Sequence, residues 1–306
     1  MELIDKYKQM NESFKVKLIH HFGMGWGFFS ELNSLLLTTL YCAQNHIRLE
    51  LYSNDAKFCF GNGWEEYFEP FCPKFRNDFI GARINQGYYK FNPGNKYLYL
   101  YKLLSNNFIS NDVFWLCRSS WFEKMTFNIP ELEINGDIRQ ALNIIISIVY
   151  RFNKKYTDII NELSNTLKMP EHYISLHIRA GDKVQERDLI TPQNYLEEAK
   201  KYSSCHNVFI ATDDFRIFES LRNNNPDYNF FTLTSEDEEG YNNSSFMTST
   251  DESIRSNLTE LFASIQIILK SDLFIGTYSS NPGMFIGMQM QRNRMIGMDF
   301  DKWLII

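Results

Sequence analysis

The segment Ile174-Ser-Leu-His-Ile-Arg-Ala-Gly-Asp-Lys183 constrains the fold more than any other stretch of these 306 residues. Its apolar run up to Ile178 reads as a buried strand. A small-residue turn at Ala180-Gly181 then delivers Arg179, Asp182 and Lys183 at the strand's C-terminal end. In open α/β sheets that end is where ligands bind. An arginine placed there is a permanent cation with a planar fork, suited to a pair of phosphate oxygens. The segment predicts an anion site at the mouth of a sheet.

The rest of the chain supplies the sheet. Lys15–Phe22 alternates like a strand, Gly23-Met-Gly-Trp-Gly27 is a glycine loop, and Phe28–Asn45 has helical spacing through Leu32, Leu35, Leu36 and Leu40. His46–Tyr52 reads as a second strand. This β–loop–α–β order opens a Rossmann-like half. Residues from Cys59 to Phe127 are aromatic and irregular, with Trp64, Tyr67, Tyr88 and Trp115 as rings that belong to the core or stack on sugars. Asp137–Leu167 looks helical, and Lys168-Met-Pro170 breaks it, which places a domain boundary there: 1–168 and 169–306.

The second half repeats the rhythm. Strands are expected at Tyr173–Ile178, Asn207–Ala211, Tyr228–Leu233, Asp272–Thr277 and Arg294–Met298. Helices are expected at Pro192–Tyr202, Phe215–Asn223 and Leu258–Lys270, with a Met-rich helix after Gly283. The polar, acidic stretch Thr234–Asn257 reads as a surface loop.

Composition narrows the function. A net charge of −6 with no long basic run argues against a nucleic-acid surface. The five cysteines form no CxxC pair and their number is odd, so neither a zinc site nor a disulfide framework is indicated. Reduced cysteines and a polar N-terminus unlike a signal peptide point to the cytoplasm. No run of about 18 apolar residues occurs, so no membrane span is expected.

Three strand ends in the second half carry polar residues together: Arg179, Asp182 and Lys183; Asp213 and Asp214; Thr277, Ser279 and Ser280. In a parallel sheet these ends lie side by side. The Ser-Ser-Asn-Pro-Gly turn precedes a helix, so its hydroxyls and N–H groups suit a phosphate. No P-loop motif is present, and Asp213-Asp214 alone is a weak metal signal. Structural uses compete for the same residues. His177 fits a core histidine, and Asp213-Asp214 fits a helix cap. Their joint placement favours a site.

In order and spacing, five segments resemble the α1,6-fucosyltransferases. They are Gly23-Met-Gly-Trp-Gly27, Gly63-Trp-Glu-Glu-Tyr-Phe68, His177-Ile-Arg-Ala-Gly-Asp-Lys-Val184, Phe209-Ile-Ala-Thr-Asp-Asp214 and Asp272-Leu-Phe-Ile-Gly-Thr-Tyr-Ser-Ser280. The group includes the eukaryotic core and rhizobial Nod-factor enzymes. The match covers roughly residues 15–80 and 170–290; residues 85–165 show none. The resemblance implies a GT-B-like α/β fold, two Rossmann-like lobes facing a cleft. The first lobe would lie on the acceptor side and the second would bind nucleotide-sugar, with a last helix packing back on the first. It implies an inverting, metal-independent transfer of L-fucose from GDP-β-L-fucose to a glycan or glycolipid hydroxyl. GDP-fucose or a related nucleotide sugar would be co-substrate, with no cofactor or metal. A peripheral membrane contact is left open.

Within that resemblance, Arg179 neutralises the departing diphosphate, supported by Ser279, Ser280 and nearby N–H groups. Gly23 and Gly25 let backbone approach the diphosphate. His177 matches a histidine near the nucleotide base, and Asp182 orients Arg179 or Lys183. An inverting transfer needs a carboxylate to take the acceptor proton. The family's glutamate position falls on Arg187, flanked by Glu186 and Asp188; Glu186 is the expected base and Asp188 the fallback. The family's second arginine is replaced by Ala180, leaving Arg255 or Lys183 to supply its charge. Its guanine-reading acid falls on Ser264, and Glu260, one helical turn earlier on the same face, is the expected reader. Two other readings stay open: a transferase using another nucleotide sugar, and an inactive nucleotide- or sugar-binding relative.

Overall fold

The structure, a computed structural model, describes residues 1–84, 96–181 and 190–300. The chain divides into two compact units, Met1–Lys154 and the chain from Lys155 onward.

The first unit is built on three parallel strands in the order β2-β1-β3: β1 Lys17–His21, β2 Arg48–Tyr52 and β3 Phe108–Ile109. The crossover helix Phe28–Gln44 has buried residues around its whole circumference, including Leu32, Leu35, Leu36 and Leu40. A helix apolar on all sides belongs inside the core. Behind it lies an aromatic core in which Trp64 stacks on Phe68 at 4.4 Å and Phe22 meets Phe58 edge to face at 5.3 Å. Trp64 and Tyr67 are therefore structural, whereas Trp115 is exposed. Tyr88 lies outside the described residues. A two-stranded antiparallel ribbon, β4 Phe127–Ile129 with β5 Ile134–Gly136, completes the described strands of this unit.

The single helix expected over Asp137–Leu167 is two, Ile138–Val149 and Lys154–Thr166. The interruption has a tertiary cause. Arg151 O accepts from Glu69 N at 2.8 Å, Asn153 N donates to Tyr67 O at 2.9 Å, and Phe152 stacks on Phe68. Pairing with an extended segment draws residues 150–153 out of the helix.

The second unit holds a five-stranded parallel sheet in the order β10-β9-β6-β7-β8. The strands are β6 Ile174–Ile178, β7 Asn207–Thr212, β8 Asn229–Phe231, β9 Leu273–Gly276 and β10 Met295–Gly297. Every residue of β6 is buried, as for a central strand covered by helices on both faces. Leu176, Ile210 and Ile275 pack with Tyr195, Leu196 and Leu221 from the flanking helices Pro192–Lys200 and Phe215–Asn224. The chain runs outward from β6 to β7 and β8, then returns to place β9 on the other side of β6. The switch point of the sheet therefore lies between the C-terminal ends of β6 and β9.

The loop expected over Thr234–Asn257 is only partly a loop. A short helix occupies Asn243–Thr248, and the long helix begins at Asp251 and runs to Lys270. Thr250 caps it by accepting from Ser253 N, and Asp251 and Glu252 occupy the positive end of its dipole. These polar residues read as loop by composition, yet they are helix-starting residues. No described helix is long and apolar enough to cross a membrane. Residues 301–306, where a terminal helix would fall, lie outside the described part.

Candidate functional site

Arg179 follows β6 directly, at the switch point. Its Nη1 donates to Asp213 Oδ2, from the end of β7, and both side chains are largely buried. Ala180 N donates to Asp213 Oδ1 at 2.8 Å, and Tyr241 N to Oδ2 at 3.0 Å. The guanidinium carbon lies 4.7 Å from the centre of the Tyr241 ring. One carboxylate thus gathers a cation and two N–H groups, and an aromatic face covers the cation. Gly181 makes this possible. Its φ is +53°, and a Cβ there would lie 2.3 Å from Tyr241 O.

The orienting acid is therefore Asp213, within the described residues. Asp182, expected in that role, lies outside them, as do Lys183, Glu186 and Asp188. Asp214 caps the helix Phe215–Asn224. It accepts from Arg216 N at 3.0 Å and from Arg216 Nε and Nη2 at 2.8 and 2.7 Å. Of the adjacent aspartates, one serves the site's cation and the other a helix end.

His177 pairs in register with Gly276 of β9. Burial, and then the charge of Arg179, lowers its pKa to about 4, so the ring is neutral near pH 7. Its Nδ1 is buried and has no hydrogen-bond partner among the described residues. Thr277 Oγ1 lies 2.6 Å from Tyr195 Oη.

The turn after β9 binds an anion, but the anion belongs to the chain. Tyr278 N and Ser279 N donate to the two carboxylate oxygens of Asp299 at 2.7 and 3.0 Å. Ser280 caps the helix Asn281–Gln289, with Oγ accepting from Gly283 N at 3.1 Å and donating to Thr277 O at 2.8 Å. The Ser280 hydroxyl expected on a phosphate is thus committed to the helix end. The N–H pair is occupied by the Asp299 carboxylate. Asp299 was missed by sequence reasoning; the signal for it is an acid placed just after a strand-like segment, as at the other strand ends.

Glu260 and Ser264 sit one turn apart on the helix Asp251–Lys270, and Ser264 is buried. Ser235 Oγ donates to Glu260 Oε1 at 3.3 Å. Burial and a hydrogen bond with Glu238 push Glu260 up to about 7, and burial also raises Glu238. The two carboxyls act as a proton-sharing pair. The folded chain holds this proton, while the unfolded chain releases it near the ordinary value of 4.5. Stability therefore falls as pH rises from about 4.5 to about 7. Glu260→Gln is expected to flatten this slope in urea titrations across that range. An unchanged slope would rule out the shared proton.

In the first unit the glycine loop also carries a carboxylate. Glu31, buried in the first turn of Phe28–Gln44, accepts from Gly23 N and, at 3.0 Å, from Trp26 N. Gly23 has φ +130°, and a Cβ there would fall 2.6 Å from Ala56 Cα; Gly25 has φ +87°. The N–H groups of Gly23 and Trp26 thus turn onto Glu31, and glycine at 23 answers to close backbone packing. Nearby, His21 Nε2 at the end of β1 lies 2.8 Å from Asp55 Oδ1. Among the described residues no group of three or more His, Cys, Asp or Glu side chains is arranged to hold a metal.

No family model matches this chain, and no curated protein matches it by sequence. Solved structures do match its fold. Fucosyltransferase NodZ from Bradyrhizobium aligns over 94% of this chain and 96% of its own, at 13% identity and TM-score 0.57. NodZ α-1,6-fucosyltransferase co-crystallised with GDP gives the same coverage and identity with TM-score 0.56. A mutant of Arabidopsis thaliana FUT1 in complex with GDP aligns over 94% of this chain and 72% of its own, at 11% identity and TM-score 0.53. The chain has the GT-B-like α/β fold of these fucosyltransferases.

Proposed function

We propose that this protein is an inverting, metal-independent glycosyltransferase that moves L-fucose from GDP-β-L-fucose to a hydroxyl of a glycan acceptor. The observation that carries the proposal is Arg179 at the switch point, held by Asp213 and covered by Tyr241. The shared fold with enzymes crystallised with GDP supports it.

In this reading the acceptor oxygen attacks the anomeric carbon as the bond to the diphosphate oxygen breaks. Negative charge grows on the leaving diphosphate, and a preorganised guanidinium stabilises it without reorganising. Asp213 fixes the plane of that guanidinium. The N–H groups of Tyr278 and Ser279 pass from Asp299 to a phosphate oxygen when the donor arrives. Glu186, with Asp188 as the alternative, takes the acceptor proton. Glu260, in its ionised form, accepts from guanine N1 and N2. Neutral His177 and Thr277 line the same end of the sheet.

A thermal-shift panel of GDP, UDP and their sugars tests the donor. GDP is expected to give the largest rise in melting temperature. A larger rise with UDP points to a different donor. No rise with any nucleotide removes the reading altogether. Donor hydrolysis without acceptor separates an enzyme from an inactive binding relative.

A further inference from the structure

The helix Lys96–Ser105 of the first unit is apolar on two sides. Leu98 and Tyr101 face inward and pack with Ile80, Ile84 and Phe75 against β1 and β2. Tyr97, Leu100, Leu103 and Leu104 form a second stripe at i, i+3, i+6 and i+7, which one helical face accommodates. That stripe faces out: Leu103 is 81% and Leu104 77% exposed. Phe79, beside Tyr97, is exposed as well, and so are Phe108, Trp115, Leu116 and Trp121 further along the chain. Among the described residues, ten of the thirteen exposed large hydrophobic side chains fall between Phe79 and Trp121. Scattered exposed leucines are ordinary, but a concentration of this kind marks a contact surface.

Charge identifies what it contacts. From Lys74 to Lys124, seven of the described residues are Lys or Arg and three are Asp or Glu. The whole chain carries −6, so this basic stretch stands apart from an acidic protein. Cations border the rings directly. Arg83 lies 3.5 Å over Phe79, Lys96 lies 5.2 Å from the centre of Tyr97, and Phe79 meets Tyr97 edge to face at 5.3 Å. Leucines on an outward stripe with tryptophan and tyrosine among basic residues are the elements of an interfacial membrane helix. A second copy would set two like-charged faces against each other, whereas an anionic leaflet complements the charge.

We propose that the outward-facing residues of Asp78–Ile84 and of 96–124 seat this protein on an anionic phospholipid surface, with Leu103 and Leu104 entering the acyl boundary. The proposal is independent of the sugar-transfer reading. If it holds, the first unit carries the lipid contact, and an acceptor on a lipid is presented to a protein already at the membrane.

Vesicle flotation of the full chain tests it. Wild-type protein is expected to float with vesicles of phosphatidylcholine plus phosphatidylglycerol and to stay down with phosphatidylcholine alone. Leu103→Ser with Leu104→Ser is expected to lower partitioning at least about tenfold. Lys96→Glu with Lys124→Glu is expected to weaken it and reduce its salt sensitivity. Because these side chains are exposed, melting temperature should hold. Quenching of wild-type tryptophan fluorescence by brominated lipid gives a readout that needs no variant. Equal flotation of the leucine variant, or no wild-type binding to anionic vesicles, overturns the proposal. So does a wild-type dimer that the leucine variant dissociates, because the stripe is then an interface between copies.

Discussion

Arg179→Ala is expected to slow acceptor-independent hydrolysis of GDP-fucose by about a hundred- to a thousandfold, the scale for losing a preorganised donor at a developing charge. Among the described residues the side chain meets the largely buried Asp213 carboxylate and the Tyr241 ring face, so its fork is oriented before the donor arrives. Arg179→Lys keeps the charge but loses the planar geometry that lets one face pair with Asp213 while another meets the diphosphate. Lysine is therefore expected to recover only part of the rate. If Arg179 acts mainly as the leaving charge develops, the rate falls far more than GDP affinity does. A variant that hydrolyses the donor at the wild-type rate would sink the assignment. So would a variant whose entire defect disappears at saturating donor, because that marks uniform binding.

Asp213→Ala is expected to destabilise the second unit by about 3–5 kcal/mol, the cost of breaking a buried pair by removing one partner. The carboxylate accepts from Arg179 Nη1, Ala180 N and Tyr241 N, so its loss takes a hydrogen-bond acceptor from one cation and two backbone donors at once. It also frees the crossing of Gly181 against Gly240, which the two N–H bonds hold in place. Urea unfolding measures the stability change, and calorimetric titration with GDP measures binding. GDP affinity should fall even under conditions where the variant remains folded, because Arg179 no longer has a fixed direction. A destabilisation under about 1 kcal/mol, in the range of an exposed pair, would mean that solvent satisfies these donors and that Asp213 organises nothing.

Local pattern placed most of the strands and helices within a few residues. Side-chain period depends only on neighbouring residues, and Ile174–Ile178 or Asn207–Thr212 can bury both faces in only one kind of sheet. Arg179, Asp213 and Thr277 were legible as strand-end residues for the same reason. The breaks in that legibility have tertiary causes. Residues 150–153 leave a helical pattern because they pair with residues 67–69, and the helix at Asp251 begins within a stretch whose polarity resembles a loop.

By itself, then, the sequence determined the alternation of elements, the residues standing at each strand end and the absence of a P-loop. It could not determine which acid meets which donor. Asp213 reaches Arg179 because β7 lies beside β6, and Asp299 reaches the N–H pair after β9 because β10 lies beside β9. Strand order is set by how the whole apolar core closes, a sum over residues far apart in the chain. Hydrogen-bond partners at the strand ends inherit that order, so only the tertiary structure could assign Asp213 to Arg179 and Asp299 to the N–H pair.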